Sequence, residues 1–262
     1  MSSRERLYRT RAVVLSRRDY GDADRILTIF TPDLGKRELI AKGVRKTTSR
    51  KAGHLEPLSH ASLLVAQART WDIITEAVTV ESFRHLRQHL DAIGYASYLC
   101  ELVGSFTEAD DESRPLWELL LFSLRTLDDY SCGQAHFDPP LLLRWFELHL
   151  LSYTGFQPQF FHCLGCNTPI QPVVNYLGLH AGGVFCPQCG ATQPDVEAIE
   201  PAVLKVLRHL QRSEWDEVAR LSVRPPILQQ MEHILYRYFL TLLERHLKST
   251  DFLRKLRATH AY

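Results

Sequence analysis

The chain has 262 residues, of which 45% are hydrophobic and 23% are charged, and its formal net charge is +1. This length allows two modest domains or one large one, and the composition is typical of a soluble globular protein. No segment approaches the roughly 20 continuous apolar residues of a membrane helix. The N-terminal sequence MSSRERLYRTR lacks the apolar core of a signal peptide. We therefore expect a cytoplasmic protein without a membrane partner.

Charge is distributed unevenly along the chain. Residues 1–80 contain 15 Lys and Arg and 9 Asp and Glu, a surplus of +6, whereas the remainder contains 16 and 21, a deficit of −5. Such asymmetry predicts a basic module that meets a polyanion and a more acidic body.

The first eighty residues predict a β-structured domain, residues 1–80. Five segments are rich in the Val, Ile, Leu and Thr that favour strands, namely 11–18, 25–31, 37–43, 61–67 and 71–80. The sequence TPDLGK between the second and third has the Pro, Asp and Gly of a tight turn and predicts a hairpin loop. Five short strands favour a small closed barrel of the OB-fold type over a sandwich.

From residue 81 to 262 the spacing of apolar residues predicts a helical domain. Helical periodicity covers 82–106, 114–130, 137–155, 200–211 and 225–247. The third of these is well delimited, since Asp138 can cap its start, Pro139 suits its first turn and Gly155 suits the position after its end. An irregular segment at about 157–196 interrupts the helices as an insertion. The fold class is therefore α+β, with two domains.

Two cysteine pairs within that insertion predict a metal site. CLGC and CPQC each place two cysteines around two residues, and nineteen residues separate the pairs. This spacing is typical of zinc sites, because each short turn directs two sulfurs at one ion. The predicted ligands of one structural zinc are Cys163, Cys166, Cys186 and Cys189. Four protein ligands leave no open position, so the metal would shape a zinc ribbon-like module and take no part in catalysis.

Three other interpretations of the cysteines remain open: disulfides, a redox pair and buried thiols. A reducing cytosol disfavours disulfides. A thioredoxin-like pair would open a helix directly after a strand, and the sequence pattern places neither pair there. Gly165 and Gly190 adjoin the pairs, and we expect them to relieve backbone strain in the turns.

The basic domain has a dense cluster of cations in GKRELIAKGVRKTTSRKAG, residues 35–53. The single acid of this stretch is Glu38, and its seven cations are Lys36, Arg37, Lys42, Arg45, Lys46, Arg50 and Lys51. Beside an OB-sized module, these cations predict binding of a nucleic-acid backbone. Few aromatic residues are available for stacking on bases, which predicts little sequence preference. A solvated loop or a protein-docking surface are the alternatives.

Catalytic motifs are absent from the sequence, which has no H-E-x-x-H, G-x-S-x-G or G-x-G-x-x-G pattern. Asp19, Asp22 and Asp24 form an acidic cluster that could hold Mg²⁺ in a nuclease. Such residues more often cap a turn and pair with neighbouring arginines. We therefore predict no catalytic residues and no enzymatic activity.

The motifs YGDADRILTIFT and AKGVRK in residues 12–59, and LLSYTGFQPQFFHCLGC followed by CPQCG, resemble the RecO recombination-mediator family of bacteria over nearly the full chain. The resemblance implies an OB-fold, a helical domain, DNA binding and strand annealing. It also implies cooperation with RecR and single-stranded DNA-binding protein in loading RecA, and a place at the nucleoid.

The sequence thus predicts a repair and recombination mediator that binds single- and double-stranded DNA without sequence preference. The resemblance further implies that the helical domain receives the acidic, apolar C-terminal tail of single-stranded DNA-binding protein. Some of the local cations of that domain are expected to aid the contact, and the sequence does not choose among candidates such as Arg125, Arg144, Arg208 and Arg212. The alternatives are a zinc-ribbon factor in transcription or translation, a metal-dependent nuclease using Asp22 and Asp24, and a protein adaptor.

Overall fold

A computed structural model describes residues 7–253. Its contacts group these residues into two compact units. Within the described range, the first unit consists of 7–135 and 248–253, and the second consists of 136–247. Among the described residues, no helix combines the length and the apolar character needed to span a membrane.

Five strands form the core of the first unit and confirm the five predicted segments. They are β1 (Leu7–Tyr20), β2 (Asp24–Thr31), β3 (Gly35–Ala41), β4 (His60–Ala66) and β5 (Asp72–Glu81). Their order is β1-β2-β3-β5-β4, and β4 pairs with β1, so that the sheet closes into a barrel. The β3–β5 pairing is parallel and the others are antiparallel.

Inward side chains of all five strands fill the barrel. Leu27, Leu39, Leu63 and Ile74 are each at most 1% exposed and belong to one apolar cluster. Strand β1 is longer than predicted because it serves two neighbours. Its first half pairs with β4 and its second half with β2, with an irregularity in the β2 pairing after Val14.

The predicted hairpin joins β2 to β3. Thr31 Oγ1 accepts the Leu34 N–H and donates to the Gly35 carbonyl, both at 3.0 Å. Gly35 has φ +60°, and a Cβ there would lie 2.2 Å from the carbonyl oxygen of Asp111. The position therefore requires glycine both for its backbone conformation and for the close approach of another segment.

Two helices belong to the same unit as the barrel, α1 (Leu90–Phe106) and α2 (Arg114–Ser131). Trp117 of α2 packs edge-on against the buried His60 at 5.5 Å. Glu81 accepts two hydrogen bonds from Arg125, at 2.7 and 2.9 Å, and lies 2.6 Å from His60 Nδ1. The sequence places a domain boundary at residue 80, whereas these contacts group the next two helices with the strands.

The second unit combines helices with a three-stranded antiparallel sheet. The helices are α3 (Pro139–Tyr153), α4 (Pro187–Gly190), α5 (Pro201–Arg212), α6 (Trp215–Val218) and α7 (Pro225–Leu243). The strands are β6 (Asn175–Gly178), β7 (Gly183–Phe185) and β8 (Val196–Ile199), in the order β7-β6-β8. Strands β6 and β7 and helix α4 lie in the segment predicted as an insertion, whereas β8 extends beyond its predicted end.

Helix α3 ends as its sequence predicts. Asp138 occupies the N-cap position, although its side chain forms no capping hydrogen bond, and Pro139 is the first helical residue. Gly155 has φ +81°, its N–H donates to the Ser152 carbonyl, and the Phe156 N–H donates to the Leu151 carbonyl. This double hydrogen bond is the Schellman motif, which satisfies the last carbonyls of the helix.

Helix α3 is buried on almost every side, and a charged pair lies within it. Arg144 and Glu147 are 4% and 0% exposed and form an ion pair with each other, while Arg144 also lies 3.6 Å from Glu232. Burial of either charge alone would cost several kcal/mol, so each of the two residues requires the other inside the unit.

Candidate functional site

The four predicted metal ligands converge in the second unit. The Sγ atoms of Cys163, Cys166, Cys186 and Cys189 all lie within 4.8 Å of one another. The Cys166 and Cys186 sulfurs are 3.8 Å apart. A tetrahedral zinc with bonds of about 2.3 Å places its sulfurs roughly 3.8 Å apart. The donor set and its spacing therefore fit a tetrahedral zinc ion.

The cysteines are neither disulfides nor two separate pairs. All of them are free thiols, and the 3.8 Å Cys166–Cys186 separation is far longer than an S–S bond of about 2.05 Å. The expectation that neither pair opens a helix directly after a strand was wrong, since Cys186 directly follows β7 and is the N-cap residue of α4. That helix has four residues, too few for periodicity to reveal it in the sequence. Cys186 and Cys189 lie close to the other two cysteines, so the two pairs form one cluster.

Backbone N–H groups prepare one sulfur for metal binding. The N–H groups of Gly165 and Cys186 donate to Cys163 Sγ at 3.4 and 3.2 Å. Burial opposes ionisation of this thiol, but the backbone donors outweigh it and lower the pKa of Cys163 to about 6. In contrast, hydrogen bonds with the other three cysteines raise the pKa of Cys189 to about 12. Four adjacent sulfurs need a cation before all of them can be thiolates.

The two glycines next to the cysteines serve close packing. Neither Gly165 nor Gly190 has positive φ, so the expectation that they relieve backbone strain was wrong. A Cβ at Gly165 would lie 3.0 Å from both Cβ and Sγ of Cys189. A Cβ at Gly190 would lie 2.4 to 2.7 Å from atoms of Tyr176. The missing side chains let the cysteine turns and the sheet approach each other.

We predict that Gly190→Ala destabilises the second unit, because its methyl group would collide with the Tyr176 ring on β6. Overpacking of this kind costs about 1–3 kcal/mol. Chemical denaturation of the parent and the variant measures the change. Gly53→Ala is the control, since a Cβ there meets nothing within 4 Å. Equal effects of the two substitutions would contradict the packing argument.

Part of the predicted basic stretch forms an anchored loop in the first unit. This part, residues 42–51, is called the basic loop below. The Gly43 N–H donates to Asp24 Oδ1 at 2.7 Å, and the Arg45 N–H donates to the Ala23 carbonyl at 2.9 Å. These bonds fasten the loop to the β1–β2 turn. The charged side chains of the basic loop are therefore carried by a backbone that is hydrogen-bonded to the rest of the unit.

The cations of the basic loop differ in availability. Lys42, Lys46 and Arg50 are exposed and form no ion pair with another described residue. Arg45 is also exposed but lies 3.5 Å from the Asp19 carboxylate. Lys51 Nζ donates to the Ile74 carbonyl at 2.7 Å, and burial lowers the pKa of Lys51. Three of these five cations thus face solvent without a counter-charge from the described part of the chain.

The two cations of β3 contact the end of α1 and the acidic segment that joins it to α2. Arg37 lies 2.6 Å from the Asp110 carboxylate, and Lys36 Nζ donates to the Gly104 carbonyl at 2.8 Å. Ala109 forms bridges with the start of β3. The structure therefore uses Lys36 and Arg37 in internal contacts, which the sequence pattern did not reveal.

The acidic cluster of the β1–β2 region has structural partners. Asp19 pairs with Arg25 at 3.1 Å, and Asp24 accepts the Gly43 N–H. Within residues 7–253 the four cysteines form the one cluster of His, Cys, Asp or Glu close enough to share an ion. The structure thus shows Asp19 as an arginine partner and Asp24 as the acceptor of a backbone N–H. These are the structural roles that the sequence analysis set against a magnesium site.

A groove beside the basic loop was not predicted. Tyr20 and Trp71 meet there with ring centroids 5.2 Å apart. The groove has a volume of 460 Å³, and Lys42 and Arg69 also line it. Tyr20 ends β1 and Trp71 precedes β5, so residues far apart in sequence form this surface. The local periodicity of the sequence therefore could not predict the groove.

These features define a protein that combines a small β-barrel carrying a basic loop with a helical unit carrying a candidate four-cysteine metal centre. The chain belongs to the Recombination protein O family: the model of the N-terminal part matches residues 1–83 and that of the C-terminal part matches 87–251. The resemblance seen in the sequence motifs is thereby confirmed.

Relatives named DNA repair protein RecO match almost the whole chain. The protein from Dehalococcoides mccartyi is 35% identical over 95% of this chain and 96% of its own length. That from a Roseiflexus species is 36% identical over 97% and 87%, and that from Symbiobacterium thermophilum is 32% identical over 96% and 98%. The chain is therefore a DNA repair protein of the RecO family.

Proposed function

We propose that this protein is a non-enzymatic recombination mediator that binds single- and double-stranded DNA without sequence preference and promotes pairing of complementary strands. The observation that carries the proposal is the basic loop, in which Lys42, Lys46 and Arg50 are exposed on an anchored backbone. Point charges without fixed acceptors suit phosphates, which every sequence shares. We also propose, as the resemblance implies, a role in loading RecA together with RecR, in the cytoplasm at the nucleoid.

The barrel supports an OB-fold assignment. Its five strands close in the order β1-β2-β3-β5-β4. The OB-fold is a five-stranded Greek-key barrel whose loops, including those joining strands 1–2 and 4–5, bind oligonucleotides. Here the basic loop is fastened to the loop between β1 and β2. This contact supports a role for its cations at that expected binding surface.

Electrostatics supply a mechanism for annealing. Two single strands repel each other through their phosphates, and bound cations lower this repulsion and concentrate the strands. Lys42, Lys46 and Arg50 would do so directly, with Arg45 contributing when a phosphate competes with Asp19. Lys36, Arg37 and Lys51 complete the predicted DNA-binding set, and through their internal contacts they would chiefly shape the surface.

Annealing separates the proposal from its alternatives. Mixing the protein with complementary oligonucleotides should accelerate duplex formation, which a zinc-ribbon transcription or translation factor or an adaptor need not do. Incubation of labelled DNA with Mg²⁺ or Mn²⁺ should give no cleavage. Cleavage that is lost in Asp24→Asn would instead favour the nuclease.

The four cysteines are proposed to hold one structural zinc. The ion would join the two cysteine turns, which flank the β6–β7 hairpin, and thereby define the fold of a ribbon-like module. No open ligand position remains for a substrate. The metal would stabilise the second unit and leave DNA binding to the barrel.

A place for the tail of single-stranded DNA-binding protein is proposed at Arg212. Of the four candidate cations, Arg144 is buried in its pair with Glu147 and is not accessible to a tail peptide. Arg125 is bound by Glu81, and Arg208 donates to the Phe160 carbonyl. Arg212 is exposed, and its guanidinium lies 3.4 Å from the centre of the Phe161 ring. An exposed cation on an aromatic ring suits a tail that is both acidic and apolar.

We predict that Arg212→Glu weakens binding of an acidic, apolar tail peptide to the full-length protein by at least about tenfold, since it replaces attraction by repulsion. Fluorescence anisotropy with the labelled peptide measures this. Arg220→Glu, at another exposed arginine of the same unit, should leave the affinity close to that of the parent. Equal affinities of all three proteins would place the tail elsewhere.

A further inference from the structure

An exposed aromatic pair lies beside the basic loop. Tyr20 is 43% exposed, and its ring meets that of Trp71 edge-on, at an interplanar angle of 72°. The other tryptophans, Trp117, Trp145 and Trp215, are each at most 7% exposed, whereas Trp71 is only partly buried. Trp71 is thus the tryptophan that this fold leaves in contact with solvent.

The surroundings of this pair are cationic. Lys42 and Arg69 are exposed and line the same 460 Å³ groove, and the guanidinium of Arg18 lies 5.9 Å from the centre of the Trp71 ring. Asp24 is an acid in the groove, and its carboxylate accepts the Gly43 N–H. An aromatic platform flanked by cations complements a ligand that has flat apolar faces and negative charges.

We propose that this groove receives an unpaired base of single-stranded DNA, stacked against Trp71 and Tyr20, while Lys42 and Arg69 bind the adjacent phosphates. This inference rests on the proposed function and adds a preference to it. The bases of a duplex are already stacked on each other, so their faces are closed to such a platform. The basic loop would therefore bind both forms of DNA, and the groove would favour the single strand.

Stacking on an aromatic side chain is tolerant of sequence because every base has a flat face. The groove therefore agrees with binding that has little sequence preference. It also gives an optical signal, since a base stacked on Trp71 would quench its fluorescence while the three buried tryptophans respond little.

The test compares oligo(dT), an abasic oligomer of equal length and a duplex, each titrated into the full-length protein. Oligo(dT) is expected to quench the tryptophan fluorescence and the abasic oligomer is not. Trp71→Ala should lose the quenching and bind oligo(dT) about tenfold more weakly, with unchanged affinity for the abasic oligomer and the duplex. Trp71→Phe, which keeps a flat ring, should retain most of the affinity and shows that folding is intact.

Phe122→Ala removes an aromatic residue of α2 that is 37% exposed, and it should bind all three ligands as the parent does. If the parent binds DNA but Trp71→Ala binds oligo(dT) equally well, the stacking site is wrong and the proposed function stands. If the parent binds neither oligo(dT) nor the duplex, both fail. Binding of a protein partner that is lost in Trp71→Ala, with DNA affinity unchanged, would assign the groove to docking and overturn the stacking site.

Discussion

Purified protein is expected to contain one tightly held zinc ion per chain, and Cys163→Ser is expected to lose it and to lower the melting temperature. Cys163 is the buried member of the cluster and the one whose sulfur accepts two backbone N–H groups. In structural sites, metal-binding energy is folding energy, about 10–16 kcal/mol for zinc-finger peptides. A variant that forfeits part of it should melt lower by about 2–4 °C for each kcal/mol lost.

Cys132→Ser is the matched control for this experiment. Cys132 is a free, partly exposed thiol in the other unit and is not part of the cluster. The control should keep both zinc and melting temperature. Metal analysis that finds no zinc in freshly reduced, folded parent protein would contradict the metal centre, as would a Cys163→Ser variant that keeps its zinc.

The second large effect is expected from reversing three charges of the basic loop. In single-stranded DNA each phosphate contact contributes about −0.7 to the slope of log affinity against log salt. With three contacts, the affinity for single-stranded DNA is therefore roughly fiftyfold higher at 0.15 M salt than at 1 M salt. Replacing Lys42, Lys46 and Arg50 by Glu should remove this contribution, make the slope shallower by about 2, and weaken binding to all sequences alike.

An equal change of net charge at another place provides the control. Lys205, Arg220 and Arg224 are exposed in the second unit, and their reversal to Glu alters the protein by the same six charges. That variant should retain the salt slope of the parent. If both triple variants lose affinity equally, long-range charge and not the basic loop governs binding.

Local features of the sequence were sufficient for several elements. Helix α3 begins at Pro139 and ends before Gly155 as predicted, because the proline and the glycine that delimit it are local features of the sequence. The cysteine cluster was predictable from spacing alone, because a short turn brings two sulfurs together wherever it occurs. Helix α4, with four residues, is too short to produce a periodic pattern.

Tertiary contacts account for what the sequence did not reveal. Four of the seven predicted cations are engaged by backbone or carboxylate groups at residues 19, 74, 104 and 110. Charge density along the chain carries no information about such partners. The grouping of α1 and α2 with the barrel has the same origin, since periodicity shows which face of a helix is apolar but not what covers it. The meeting of Tyr20 with Trp71 likewise depends on barrel closure.

The rate of pairing between two complementary oligonucleotides, followed by fluorescence energy transfer, tests the central claim most directly. The parent protein is expected to accelerate pairing, and the reversal of Lys42, Lys46 and Arg50 is expected to abolish most of that acceleration. The control reversal of Lys205, Arg220 and Arg224 should anneal like the parent. Parent protein that leaves the pairing rate unchanged, or a basic-loop variant that anneals as fast as the parent, would contradict a mediator that acts through this loop.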